Sequence, residues 1–180
     1  MGDIVTMDDL TNQDIVAVLD DAERLVPVAR GDVYLPLLQG KVLANMFFEN
    51  STRTRMSFET AMKRLGGSVL NFTSIGTSVA KGETLYDTMQ MIDGYADVAA
   101  IRHPRQGAAQ YSADAVGIPI LNAGDGAGNH PTQTMLDLFT IRQAHGTLEG
   151  LNVVLVGDLR YGRTVHSLSH ALVRFGAKLT

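Results

Sequence analysis

Cysteine and tryptophan are both absent, which removes disulfides, thiol nucleophiles and thiolate metal sites from consideration. Aromatic residues make up only 6% of the 180 positions, and no apolar run approaches the roughly 18 residues needed to span a bilayer. No excess of positive charge exists either: the formal net charge is -4, so bulk attraction to nucleic acid or to an anionic membrane is not expected. Near the start, Asp3, Asp8 and Asp9 stand where a signal peptide would carry basic residues and an apolar stretch, so a reducing, cytoplasmic setting is the expectation. What is present is ordinary globular material, 45% hydrophobic and 19% charged.

Among the 15 basic residues, 11 are arginine, and six of these form the pairs Arg53/Arg55, Arg102/Arg105 and Arg160/Arg163. Arginine recognises phosphate and carboxylate through a planar, bidentate fork, so their placement along the chain decides their meaning. Thr11 and Asp14 signal a helix start, and apolar spacing carries that helix from about Asn12 to Ala29. Val42 to Phe48 reads as a buried parallel strand, and Ser51 opens a second helix that closes at Gly66 and Gly67. The alternation continues with strands at Ser68–Phe72, Val98–Ile101 and Ile118–Leu121, and with helices around Leu85–Ile92, Gln106–Val116 and Thr132–Ala144. Asn122 to Pro131 reads as a glycine-rich loop. Strands alternating with helices predict an α/β fold, a parallel sheet flanked by helices. Gly146 and Gly150 flank a junction, after which Val153–Val156, a helix through about Phe175 and a strand start at Ala177–Thr180 follow. The expected division is therefore residues 1–146 as one domain and 147–180 as the truncated beginning of a second α/β domain.

Each arginine pair follows a predicted strand, on the sheet edge where open parallel sheets bind ligands. The segment STRTRMSFE (51–59) adds Ser51, Thr52, Arg53 and Thr54 on the first turn of a helix, where unpaired N–H groups and the helix dipole favour an anion. Competing motifs are weaker. The stretch from Gly157 to Thr164 misses the P-loop pattern because Arg163 replaces its lysine, and Gly124, Gly126 and Gly128 are wrongly spaced for a dinucleotide fingerprint. His166 and His170 lack the glutamate and third ligand of a zinc protease.

STRTRMSFE, KGET (81–84), IRHP (101–104), NHPTQ (129–133) and DLRYGRTVHS (158–167) together resemble, in order, the aspartate carbamoyltransferase catalytic chain. STRTR alone is shared with the ornithine enzymes, whereas DLRYGRTVHS resembles the aspartate branch. The resemblance implies a carbamoyl phosphate domain followed by part of an aspartate domain. It also implies transfer of the carbamoyl group of carbamoyl phosphate to L-aspartate, a step of pyrimidine synthesis, with no cofactor and no metal. It assigns Ser51, Thr52, Arg53 and Thr54 to the phosphate. Thr54, Arg102 and His130 go to the carbonyl oxygen, with His130 a hydrogen-bond donor, and Gln133 to the carbamoyl amide. Lys81, with Ser78 (or Thr77 in an ungapped match), would reach into a neighbouring subunit of a homotrimer, and Lys81 and Arg163 would meet aspartate. A regulatory chain is a further possible partner. Two alternatives stay open: a catalytically silent anion-binding or assembly subunit of the same fold, and a P-loop-like nucleotide binder.

Overall fold

The computed structural model describes residues 2–73 and 82–180. Four strands, β1 (Val42–Phe47), β2 (Ser68–Thr73), β3 (Val98–His103) and β4 (Ile120–Asp125), form one sheet in the order β2-β1-β3-β4, with every pair parallel. The helices are α1 (Asn12–Arg30), α2 (Thr52–Arg64), α3 (Leu85–Asp93), α4 (Ala108–Ala115), α5 (Pro131–His145) and α6 (Arg163–Arg174). A two-residue pair, β5 (Asn152–Val153) and β6 (Lys178–Leu179), makes a second parallel sheet. Ile4 adds a parallel bridge to Leu121 of β4.

Alternation along the strands explains the layers. Ala44, Met46, Ala99 and Ile101 pack with Met89, Ile92 and Ala109 of α3 and α4. Leu43 and Ala100 point the other way, against Met62 and Phe58 of α2. Both faces are thus covered, which is why these strands read as continuous apolar runs. Met46 is fully buried, and truncating such a side chain to alanine costs about 2–5 kcal/mol. A third cluster joins Ile15 and Leu19 of α1 to Leu138 of α5 and Ala171 and Leu172 of α6.

Two predicted strands differ from the observed ones. β4 begins at Ile120 and runs on through Asp125, into the stretch read as loop. Its last four residues are buried although two are polar and one is glycine, so no apolar pattern marked them. Conversely, β5 is only two residues long, and Val154 and Val156, expected inside a strand, are 66% and 90% exposed.

The chain leaves β1 for β2 on one side and returns to β3 on the other, so strand order reverses between β1 and β3. Crevices at such a reversal, beyond the carboxyl ends of the strands, are where open α/β sheets take ligands.

Candidate active site

A cleft of about 670 Å³ opens at that reversal, lined by Ser51, Arg53, Thr54, Arg102, His130, Gln133 and Arg163 along with apolar and hydroxyl groups. Seven of the residues singled out from sequence therefore share one wall. Thr52 is the first residue of α2, but its side chain is not part of that wall. Ser78 and Lys81, like Thr77, lie outside the described residues.

Each positioned group has a local cause. Asn45, buried in the middle of β1, donates from Nδ2 to the Arg55 carbonyl at 3.0 Å and so fixes the first turn of α2 against the sheet. Ser51 occupies the N-cap of α2, yet its side chain makes no capping bond, whereas Thr11 and Thr84 cap α1 and α3 through theirs. The Ser51 hydroxyl and the first N–H groups of α2 are thus unspent on the helix itself.

Only one arginine of each pair enters the cleft wall: Arg53, Arg102 and Arg163. Arg160 instead lies over the Tyr161 ring, and Arg105 lies with His103 beside the start of α4. Glu49, in the β1–α2 connection, organises the other two. Its Oε1 accepts from Arg102 Nη2 at 3.1 Å and from Arg163 Nη2 at 3.0 Å. Partial burial pushes the Glu49 carboxyl up, but bonds and charge from Arg163 and Arg102 outweigh it and hold the group below its ordinary range. Arg102 also donates from Nη1 to the Ala123 carbonyl, while its Nε–H is buried without an acceptor among the described residues. Burial, then repulsion from Arg163, lowers the Arg102 pKa, and Glu49 opposes both. The role of Glu49 was missed in the sequence because its partners lie 53 and 114 residues away.

His130 caps α5 and is 5% exposed. Its Nδ1 accepts from the Gln133 N–H at 3.4 Å and lies 3.3 Å from the Thr132 hydroxyl, while the backbone N–H of His130 donates to Ser167 Oγ. A backbone N–H can only donate, so Nδ1 is the acceptor and the ring proton sits on Nε2. Burial, followed by the charges of Arg102 and Arg163, pulls its pKa down to about 4, against a smaller upward pull from Asp125. His130 is therefore a neutral Nε2–H donor at neutral pH.

Asp125, at the end of β4, accepts from the Gly107 and Asn129 N–H groups at 2.8 Å each and ties the α4 entry to the loop that carries His130. Gly124 has a φ of +117°, and a Cβ there would sit 3.0 Å from Arg163 Nη1 and 3.1 Å from Arg102 Nη1. Of the three glycines that imitate a dinucleotide motif, Gly124 thus makes room for the arginines, whereas Gly126 and Gly128 lie against Gln106 and its neighbours. The near-P-loop is otherwise engaged as well. Asp158 accepts from the N–H groups of Arg160 and Tyr161, and the Arg163 guanidinium turns to Glu49. His166 lies between the carbonyls of Ala127 and Leu159, and no group of three metal-ligating side chains occurs among the described residues.

Among the described residues the cleft wall holds three arginines and no carboxylate, and Glu49 pairs with two of the three, so the lining carries net positive charge suited to a small, multiply charged anion. The sequence model of the aspartate/ornithine carbamoyltransferase carbamoyl-P binding domain matches residues 2–143. The chain belongs to this family. It is 53% identical over 180 residues to the aspartate carbamoyltransferase catalytic subunit of Archaeoglobus fulgidus, covering 99% of this chain and 60% of that one. With the corresponding subunit of Methanococcoides burtonii it shares 54% identity over 178 residues, 98% of this chain and 58% of the relative. Aspartate transcarbamoylase from Trypanosoma cruzi, solved in complex with carbamoyl phosphate and aspartate, superposes with a TM-score of 0.95 at 45% identity, covering 99% of this chain and 57% of that one. The catalytic subunit of the M. jannaschii enzyme gives 0.92 at 49% identity, with 99% and 59% covered. The chain thus spans about three-fifths of the length of these family members.

Proposed function

We propose that the cleft binds carbamoyl phosphate and that the protein transfers its carbamoyl group to the amino group of L-aspartate, giving N-carbamoyl-L-aspartate and phosphate for pyrimidine synthesis. The observation that carries this reading is the pairing of Arg102 with a neutral His130 donor beside the hydroxyl-bearing first turn of α2. The first turn of α2, with Ser51, Thr52, Arg53 and Thr54, takes the phosphate. Thr54, Arg102 and His130 Nε2–H then converge on the carbonyl oxygen.

The neutral aspartate amine attacks the carbonyl carbon. A C–N bond forms, charge builds on the carbonyl oxygen, and the C–O bond to phosphate breaks. The departing phosphate accepts the amine proton, so no side chain has to act as nucleophile. Donors aimed at that oxygen stabilise the transition state more than the bound substrate, and losing one costs about 100- to 1000-fold in rate. A neutral histidine suits this role because it donates without adding a third positive charge next to Arg102 and Arg163. Arg163 would bind a carboxylate of aspartate, in competition with Glu49.

In this reading the working form is a cytoplasmic homotrimer, in which Ser78 and Lys81 of one subunit complete the site of the next, and a regulatory chain is a possible further partner. The test has two parts. Carbamoyl phosphate and N-(phosphonacetyl)-L-aspartate, the latter bound in a Trypanosoma cruzi relative, should raise the melting temperature, and ATP should not. Arg102→Ala should abolish most of that rise and of carbamoyl-aspartate formation. Binding with no turnover would point to the silent anion-binding subunit, and a rise with ATP alone would overturn the reading.

A further inference from the structure

The group that orients Gln133 lies outside the cleft wall. Asp137, one turn further along α5, accepts a hydrogen bond at Oδ1 from Gln133 Nε2 at 3.0 Å. An ionised carboxylate only accepts, so it selects one of the two ways an amide can face: the NH₂ end goes to Asp137, and Oε1 has no protein donor among the described residues and is free for a ligand in the cleft that Gln133 lines. Of the other polar groups that line the cleft, the guanidiniums of Arg53, Arg102 and Arg163 and the Nε2–H of His130 can only donate, and the hydroxyls can do either. An acceptor among them is complementary to a ligand that carries N–H groups of its own.

We propose that Asp137 is a specificity-determining positioning residue. By holding the Gln133 NH₂ end and leaving Oε1 free for a ligand, it makes the site prefer an acyl phosphate bearing an NH₂ group over an isosteric one bearing a methyl group. This deepens the carbamoyl phosphate reading and rests on it. Asp137 need not touch the ligand, because its effect passes through the amide it holds. Replacing the carboxylate by an amide of the same shape removes the selection, since asparagine donates to Oε1 as readily as it accepts from Nε2. Burial raises the Asp137 pKa and the Gln133 bond lowers it. Only the ionised form is selective, so the discrimination should fall on acidification.

Titration calorimetry with carbamoyl phosphate, acetyl phosphate and inorganic phosphate gives the discrimination directly. The wild type should bind carbamoyl phosphate more tightly than acetyl phosphate. Asp137→Asn should reduce that ratio by about tenfold, the worth of one well-formed hydrogen bond, and leave inorganic phosphate within about twofold. Asp137→Ala, which frees the amide to turn, should do the same. In a Gln133→Met background, which has no amide to orient, Asp137→Asn should add no further loss of discrimination. An unchanged ratio in both Asp137 variants overturns the proposal while the carbamoyl phosphate reading stands. Equal weakening of all three ligands also overturns it, by making Asp137 merely structural. A wild type that binds neither acyl phosphate overturns the underlying reading instead.

Discussion

Glu49 Oε1 lies 3.0 Å from Arg163 Nη2, although 114 residues of sequence separate the two side chains. The same oxygen serves Arg102, so one carboxylate holds side by side two like charges that line the cleft. A phosphate or carboxylate entering the cleft competes for the same guanidiniums. Glu49 therefore stabilises the empty site and opposes the first anion that enters it.

Glu49→Gln separates these two effects. The ion pairs are 13–29% exposed, so their loss should cost less than a fully buried pair, about 1–2 kcal/mol, or a few degrees in melting temperature. Inorganic phosphate should bind more tightly to the variant, and its addition should restore more of the lost stability than it adds to the wild type. Thermal scans with and without phosphate check this. Weaker phosphate binding in the variant would show that the arginines need Glu49 for their aim more than they suffer its competition.

The buried, neutral His130 makes a prediction about acid. Its pKa is about 4 in the fold and about 6.5 when unfolded. Between those values the unfolded chain holds a proton that the folded one does not, so stability rises with pH across the window and is lost on acidification, by up to about 3 kcal/mol in total. Asparagine also caps helices well, so His130→Asn should preserve the start of α5 and flatten the dependence between about pH 4 and 6.5. Urea unfolding of both proteins across that range measures the difference. Parallel curves would mean that the imidazole is not held neutral.

A site shared between subunits predicts complementation. Lys81→Ala and Arg53→Ala chains, each inactive alone, should recover part of the activity when mixed, because some sites then combine the intact Arg53 of one chain with the intact Lys81 of another. A mixture no more active than its parents would confine each site to a single chain.

Much of this was legible in the sequence because apolar spacing marks buried elements: α1 is observed from Asn12 to Arg30 against an expected end at Ala29, and β1 from Val42 to Phe47 against Phe48. The placing of Ser51, Arg53 and Thr54 together at the start of α2 was legible because the residues are nearly consecutive. Glu49 and Asp125 were not, since their roles depend on partners that the fold brings together. Asp125 reads as a loop residue until the N–H groups of Gly107 and Asn129 are seen on its carboxylate. The arginine pairs were half legible: the sequence marks three clusters, but only the fold shows which member of each turns inward.

Gly124 and Gly126 offer a contrast within one motif. Both have positive φ, so alanine at either position carries backbone strain of about 1–3 kcal/mol. At Gly126 the added Cβ would meet the Gln106 backbone nitrogen at 2.7 Å, which cannot move alone, so Gly126→Ala should act mainly by lowering stability. At Gly124 it would meet the ends of Arg102 and Arg163, which can swing away. Gly124→Ala should therefore lose less stability than Gly126→Ala, yet bind carbamoyl phosphate about tenfold or more weakly, because two charge-assisted donors lose their aim. Denaturant titration and calorimetry on the two variants test the distinction. If affinity tracks stability alike in both, the glycine at 124 answers to the geometry of β4 and not to the arginines above it.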